Sequence, residues 1–400
     1  MKKILILILI LSFAGVVKGQ QTVDYILKAR ALTEAGKPDQ AINLLSAAIN
    51  GTNDSRLYLE RAEAHILKGE YSGAIADLNE ANRLTPSSGE YGLARIYALK
   101  SDARTSLYHL ELSMNSEYKK GEKEIMLDPA FSTIDNRQEW RQFWKKEWYS
   151  TTEKDISEIE YYISAGKIDE SKEVLSELKK SSENNSDIIY AEALVNLAAG
   201  KYPEVMKTLG NLTAQNSASE KNLRILAKAQ TGASDPSGAS TTYSQLLNSG
   251  VADAGLFMLR AECYRKTGET DKALSDIHKY LEIYPDNASA LSLAGKVEAK
   301  SGDNLKALEY FSANLKLHPN DPECYIDRAD SYFMSKTWNM AINDYSMSLD
   351  LKPSNSEVWL NKGIALLNSG KVDDACHDFR IAFRLGNKRV TDYISRNCIK

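Results

Sequence analysis

The chain has 400 residues, 43% of them hydrophobic and 26% charged, with 22 Gly and 9 Pro. That balance excludes disordered, collagen-like and linker-dominated chains. Lys and Arg total 50 against 54 Asp and Glu, a net charge of −4, so no basic excess points to nucleic acid.

The first element in chain order reads as an export signal over residues 1–19. Lys2 and Lys3 precede an apolar run from Ile4 to Val17, too short for a comfortable membrane span. Val17 and Gly19 supply the small residues a signal peptidase requires, which places cleavage before Gln20. No Cys lies near the cut to accept a lipid anchor. The expectation is a mature chain without an integral membrane segment, exported to the periplasm or cell envelope.

From there the chain is periodic. Small residues recur at Ala41, Ala74, Ser106, Ser171, Val205, Ala239, Ala273, Ala307, Ala341 and Ala375, with a step of 34 throughout from Ser171 to Ala375. Twelve residues before each stands Ala29, Ala62, Ala94, Ile159, Ala193, Ala227, Ala261, Gly295, Ala329 or Gly363. Two antiparallel helices approach closely only where neither carries bulk, so this pairing predicts ten helical hairpins. Between the two small positions lies a terminator, Gly at 36, 69, 166, 200, 268, 302 and 370. A large apolar plug follows the second, and Pro86, Pro285, Pro319 and Pro353 close second helices.

With the first small residue as position 8 and the second as position 20, this pattern resembles the tetratricopeptide repeat family over about 350 residues. Repeat nine shows it most fully: Tyr325, Ala329, Tyr332, Ala341, Tyr345 and Pro353. The resemblance implies an all-α solenoid of about ten hairpins, winding as a right-handed superhelix. Repeats four to six depart most, at Ile159, Val205 and Ser234, and their packing is expected to be the least regular. Positions 7 and 23 carry Arg61/Asp77, Arg260/Asp276, Arg328/Asp344 and Lys362/Asp378, always 16 apart. Opposite charges meeting across one hairpin would explain the co-occurrence as structural ion pairs.

The period breaks between Ser106 and Ser171. Three repeats over 20–114 are followed by a segment, 115–150, that runs Asp128-Pro129-Ala130-Phe131 and then Ile134 to Trp148. This resembles the tail that ends many arrays of the family. Trp140, Trp144 and Trp148 fall four residues apart on one helical stripe, either a capping helix or a docking surface. Seven repeats over 151–386 and a capping helix over 387–400 complete the division into two lobes.

Four cysteines allow three full pairings; Cys376 on the last hairpin and Cys398 on the cap are a possible disulfide that would staple the terminal helix, whereas Cys263 and Cys324 lie about two repeats apart and read as free thiols. The five His show no metal spacing, and Cys376-His377-Asp378 cannot act as a relay because consecutive helical side chains diverge by roughly 100°. No cofactor is called for. By the resemblance, positions 2, 5, 9 and 12 face a groove lined by first helices. The groove candidates are Tyr91, Arg95, Tyr190, Arg224, Lys228, Met258, Glu262 and Lys296. Their mixed signs suit an extended peptide or a partner helix. The expected function is a non-catalytic protein-binding scaffold, possible as a homodimer, with a glycan or small-ligand module and an exported co-chaperone as alternatives.

Overall fold

The computed structural model describes residues 19–181, 186–214 and 218–398. The export-signal reading of residues 1–18 lies outside them. No strand occurs among the described residues, and ten helical hairpins follow one another. The first pairs helix 19–34 with Pro38–Ile49, the second Ser55–Leu67 with Tyr71–Leu84, and the third Glu90–Leu99 with Ala103–Met114. Repeats four to six run from Thr151–Ser164 to Pro236–Asn248, and repeats seven to ten from Gly255–Thr267 to Val372–Arg384.

The small positions lie where the helices of a hairpin meet. Ala41, Ala62, Ala74, Ala94, Ala261, Ala273, Ala329, Ala341 and Ala375 are fully buried. All ten residues at position 15 are left-handed: the seven glycines named above, together with Ser101, Ser234 and Lys336. A left-handed residue stops the first helix and aims the chain back into the second. Hairpins four and five pack less extensively than hairpins two, three and six to ten, each carrying an oversized residue at a crossing position, Ile159 and Val205. Repeat six, with Ala227 and Ala239 at the crossing, packs like the regular repeats, so the expected irregularity stops at repeat five.

Within each unit, neighbouring repeats share apolar clusters, and repeat three shares one with segment 115–150, so the core is a succession of local clusters rather than one centre. The chain divides into two compact units, 1–254 and 255–400, a different boundary from the break expected near residue 150. Within each unit, first helices of successive repeats touch one another, as in repeats two and three, four to six, and seven to nine, while second helices make at most marginal contact. In a stack that curves, the helices touching their own kind lie on the inside. First helices therefore line the inner face of each unit.

Segment 115–150 caps repeat three. Ile125, Phe131, Ile134, Trp140 and Phe143 are buried against Ala94, Ala98, Leu107 and Leu110. The aromatic stripe is shorter than expected, because the helix covers only Gln138–Phe143 and the chain turns before Trp148. Trp148 instead folds back, stacking on Phe143 at 4.5 Å and donating its indole N–H to the Phe143 carbonyl at 2.8 Å. Trp140 is buried and Trp144 and Trp148 half-buried in this cluster, which makes the stripe a cap and not a docking surface. At the other end, Cys376 and Cys398 form a disulfide, Cα atoms 5.5 Å apart, tying helix Thr391–Asn397 to the last hairpin. Cys263 and Cys324 are free and buried.

Candidate functional site

The charged residues at positions 7 and 23 meet across single hairpins. Arg61 grips Asp77 with two donors, at 2.9 and 2.6 Å; Arg260 grips Asp276 at 2.8 and 2.7 Å; Arg328 grips Asp344 at 2.6 and 2.8 Å. Lys362 reaches Asp378 with one ammonium at 3.3 Å. The four carboxylates are buried and the four cations are packed beneath aromatic rings of their own helices: Tyr58, Tyr264, Tyr332 and Trp359. A planar fork satisfies both carboxylate oxygens, whereas Lys362 offers a single point charge, 3.3 Å from Asp378 Oδ2. These pairs hold the register of each hairpin and point away from a ligand role.

The inner face is different. In the first unit, Tyr91 and Arg95 converge on Asp128 of the capping segment: the Tyr91 hydroxyl donates to Oδ2 at 2.9 Å and Arg95 Nε lies 3.0 Å from the same oxygen. Arg95 also donates to Glu63 at 2.6 Å. Phe131 meets the Tyr91 ring edge-on, so the Asp-Pro-x-Phe segment occupies this part of the inner face. Burial, and then the Asp128 carboxylate, push the Tyr91 hydroxyl well above its ordinary range. Tyr190 donates to Glu160 of the preceding repeat at 3.0 Å, and burial raises it likewise. Arg224 bridges Glu220 at 2.9 Å and Asp253 at 2.8 Å. Lys228 is exposed.

In the second unit, Met258 packs on the cluster shared by repeats seven and eight. Glu262 accepts two donors from Arg265, at 2.7 and 2.6 Å, and that contact holds its carboxyl below the ordinary range, with a further pull from Lys296. Lys296 reaches Asp327 at 2.8 Å and Ser292 at 2.9 Å, and Ser292 donates to Asp327 in turn. Tyr345, the buried plug of repeat nine, sends its hydroxyl out to Asp330 at 2.5 Å, while burial pushes the Asp330 carboxyl up. Lys300 donates to the Arg265 carbonyl at 2.6 Å.

Asp327, Asp330 and Tyr345 were not among the groove candidates from sequence, though Asp330 stands at position 9 and Tyr345 was read as a plug. Two further residues were missed. Arg30, at position 9 of repeat one, donates to the Ala252 carbonyl at 2.8 Å, and Arg56, at position 2 of repeat two, to the Gly250 carbonyl at 3.1 Å. Basic residues at both groove positions were visible, but nothing in a sequence marks a carbonyl as their target.

Cys376-His377-Asp378 forms no relay: the cysteine is oxidised and His377 is exposed. Among the described residues no group of three His, Cys, Asp or Glu is close enough to hold a metal, and no helix is long and apolar enough to cross a membrane.

Paired helices stacked in register, with a mosaic of charge along their first helices, define a helical-repeat protein of the interaction type. Residues 26–89 and 256–287 each match the tetratricopeptide repeat family, and the chain is a tetratricopeptide repeat protein. Similar solved structures include a tetratricopeptide repeat protein from Parabacteroides merdae, 18% identical, covering 62% of this chain and 99% of that one with a TM-score of 0.49. The C-terminal part of a repeat protein from Cytophaga hutchinsonii is 14% identical over 59% of this chain and 98% of its own, TM-score 0.48. MamA from Desulfovibrio magneticus is 18% identical over 43% of this chain and 96% of its own, TM-score 0.38. No curated protein matches the sequence.

Proposed function

We propose that this protein is an exported, non-catalytic scaffold of the periplasm or cell envelope, which binds an extended peptide or helix of another protein on the inner face of its repeats. The observation that carries the reading is the inner face of repeats seven to nine. There Met258, Glu262, Ser292, Lys296, Ile326 and Asp330 alternate apolar surface with both signs of charge, and all are at least partly accessible. Packing alone does not call for such a mosaic. Its charged groups are already oriented by neighbours, Lys296 by Asp327, Glu262 by Arg265 and Asp330 by Tyr345, which reduces the ordering cost of binding. Tyr91 and Tyr190, the aromatics a sugar ring would stack on, are each engaged by a carboxylate of the chain itself, which favours a peptide over a glycan.

The test is a crosslinking pull-down from envelope fractions with the full chain, beside a Met258→Ala, Lys296→Glu, Asp330→Lys variant. Recovery of one protein by the wild type and its loss in the variant is the expected result. Equal recovery by both would place binding elsewhere, and a melting-temperature shift with glycans but no captured protein would replace the scaffold with a ligand-binding module.

A further inference from the structure

The loop that leaves the second helix of repeat six does not end its role at the turn. Gly250 closes that helix in the left-handed conformation, φ 83°, and the chain then runs without regular structure through Val251, Ala252 and Asp253. Gly250 and Ala252 of this stretch meet the first two repeats, about two hundred positions earlier in the chain. Arg56 donates to the Gly250 carbonyl and Arg30 to the Ala252 carbonyl, two residues apart, as carbonyls of an extended chain fall on one side. Ala252 packs on the apolar cluster shared by repeats one and two, which includes Ile26, Leu45 and Leu57. On the far side Asp253 accepts from Arg224 at 2.8 Å.

Both arginines stand at groove positions, and both address the main chain. They are oriented independently of the loop: Glu60 accepts from Arg30 Nε at 2.9 Å, and Asp54 accepts from Arg56 at 3.0 and 2.8 Å. A pair of fixed guanidiniums reading alternate carbonyls, with an apolar cluster that takes the side chain of Ala252, is the chemistry of a recognition site for an extended peptide. It asks only for a small residue between the two carbonyls.

We propose that residues 250–253 are a built-in occupant of the peptide site on repeats one and two, and that a partner strand of the same chemistry, extended and with a small apolar residue followed by an acidic one, binds there by displacing them. This rests on the scaffold reading and locates a second, self-covered docking surface for it. A tethered occupant acts at an effective concentration on the order of millimolar, so the site is closed to weak peptides until the loop is released.

The test uses the full chain and a fluorescein-labelled peptide of residues 249–256, followed by fluorescence anisotropy. Loop variants are Ala252→Asp, which drives a charge into the apolar cluster, and Asp253→Ala, which cuts the tie to Arg224 and leaves the cluster intact in case the first misfolds. Expected are at least ten-fold tighter peptide binding by either folded loop variant than by the wild type, and loss of that binding when Arg30→Ala and Arg56→Ala are added. Hydrogen exchange supplies an independent readout: amides 250–254 should exchange at least ten-fold faster in the Arg30→Ala, Arg56→Ala protein. Wild-type exchange already as fast as in that variant, or loop variants that bind no peptide better than the wild type, would overturn the proposal. Capture of a partner through repeats seven to nine in the same preparations would leave the scaffold reading standing in either case.

Discussion

At the scale of single residues, the two glycines at position 8 have a cause that composition alone did not reveal. Repeats eight and ten carry Phe311 and Phe379 as their plugs, and a Cβ on Gly295 or Gly363 would fall 2.3 or 2.5 Å from the facing ring. Ala serves where the plug is Leu, Ile or Tyr; Phe here requires Gly. Gly295→Ala should therefore destabilise repeat eight by about 1 to 3 kcal/mol through overpacking, against the roughly 1 kcal/mol that helix propensity alone would add in its favour. Chemical denaturation followed by local hydrogen exchange decides the sign. The ion pairs make a second residue-scale prediction. Asp344→Ala leaves Arg328 facing a vacated, largely buried site, with an expected cost of about 2 kcal/mol, between that of an exposed pair and a fully buried one. Asp378 differs, because burial pushes its carboxyl up and Lys362, then His377, pull it back only in part. A carboxyl that binds its proton more tightly when folded loses stability as pH rises from the unfolded value of 3.8 to the folded one, and the loss is complete above that. The stability of Asp378→Asn relative to the wild type should accordingly grow as pH rises from about 4 and then level off. Thermal unfolding of both proteins across that range checks it; a flat difference would contradict it. The pairing of positions 7 and 23 was legible because a buried charge needs an opposite one at a fixed spacing. The Tyr345 hydroxyl on Asp330 was not, since one side chain serves as both plug and donor.

At the scale of elements, the turn between the helices of every hairpin uses one left-handed residue, and three repeats fill it without glycine. A Cβ in that conformation costs roughly 1 kcal/mol. Lys336→Gly should stabilise repeat nine by about 0.5 to 1 kcal/mol, a rise readable in the protection of its amides. The Cys376–Cys398 bridge closes a loop with a sequence separation of 22. The chain-entropy account assigns such a loop about 3 kcal/mol. Reduction, or Cys398→Ser, should fray helix Thr391–Asn397 and open it to trypsin at Arg396, with repeats seven and eight unchanged; resistance after reduction would show that packing alone holds the helix. Hairpins were the most legible elements, because close approach of two helices demands small residues at both crossing positions. The aromatic helix was over-read: a four-residue spacing of tryptophans fits a continuous helix, but the chain turns after Phe143 and brings Trp148 back by stacking.

At the scale of the whole chain, periodicity revealed how many hairpins there are but not how they group. Local spacing carries no information about contacts two hundred residues apart, and the loop at 250–253 lies on repeats one and two through carbonyls, which every residue possesses. The inner face was legible only as a set of positions; which of them are already engaged within the chain depends on neighbours that a 34-residue period averages away. The cap at 115–150 has one more consequence, in time rather than in space. A growing or threading polypeptide presents its N-terminal end first, and a half-finished solenoid normally offers a raw apolar face to whatever is nearby. Here Phe131, Trp140 and Phe143 arrive directly after repeat three and cover it. The first three hairpins can thus close their own end before the other seven exist.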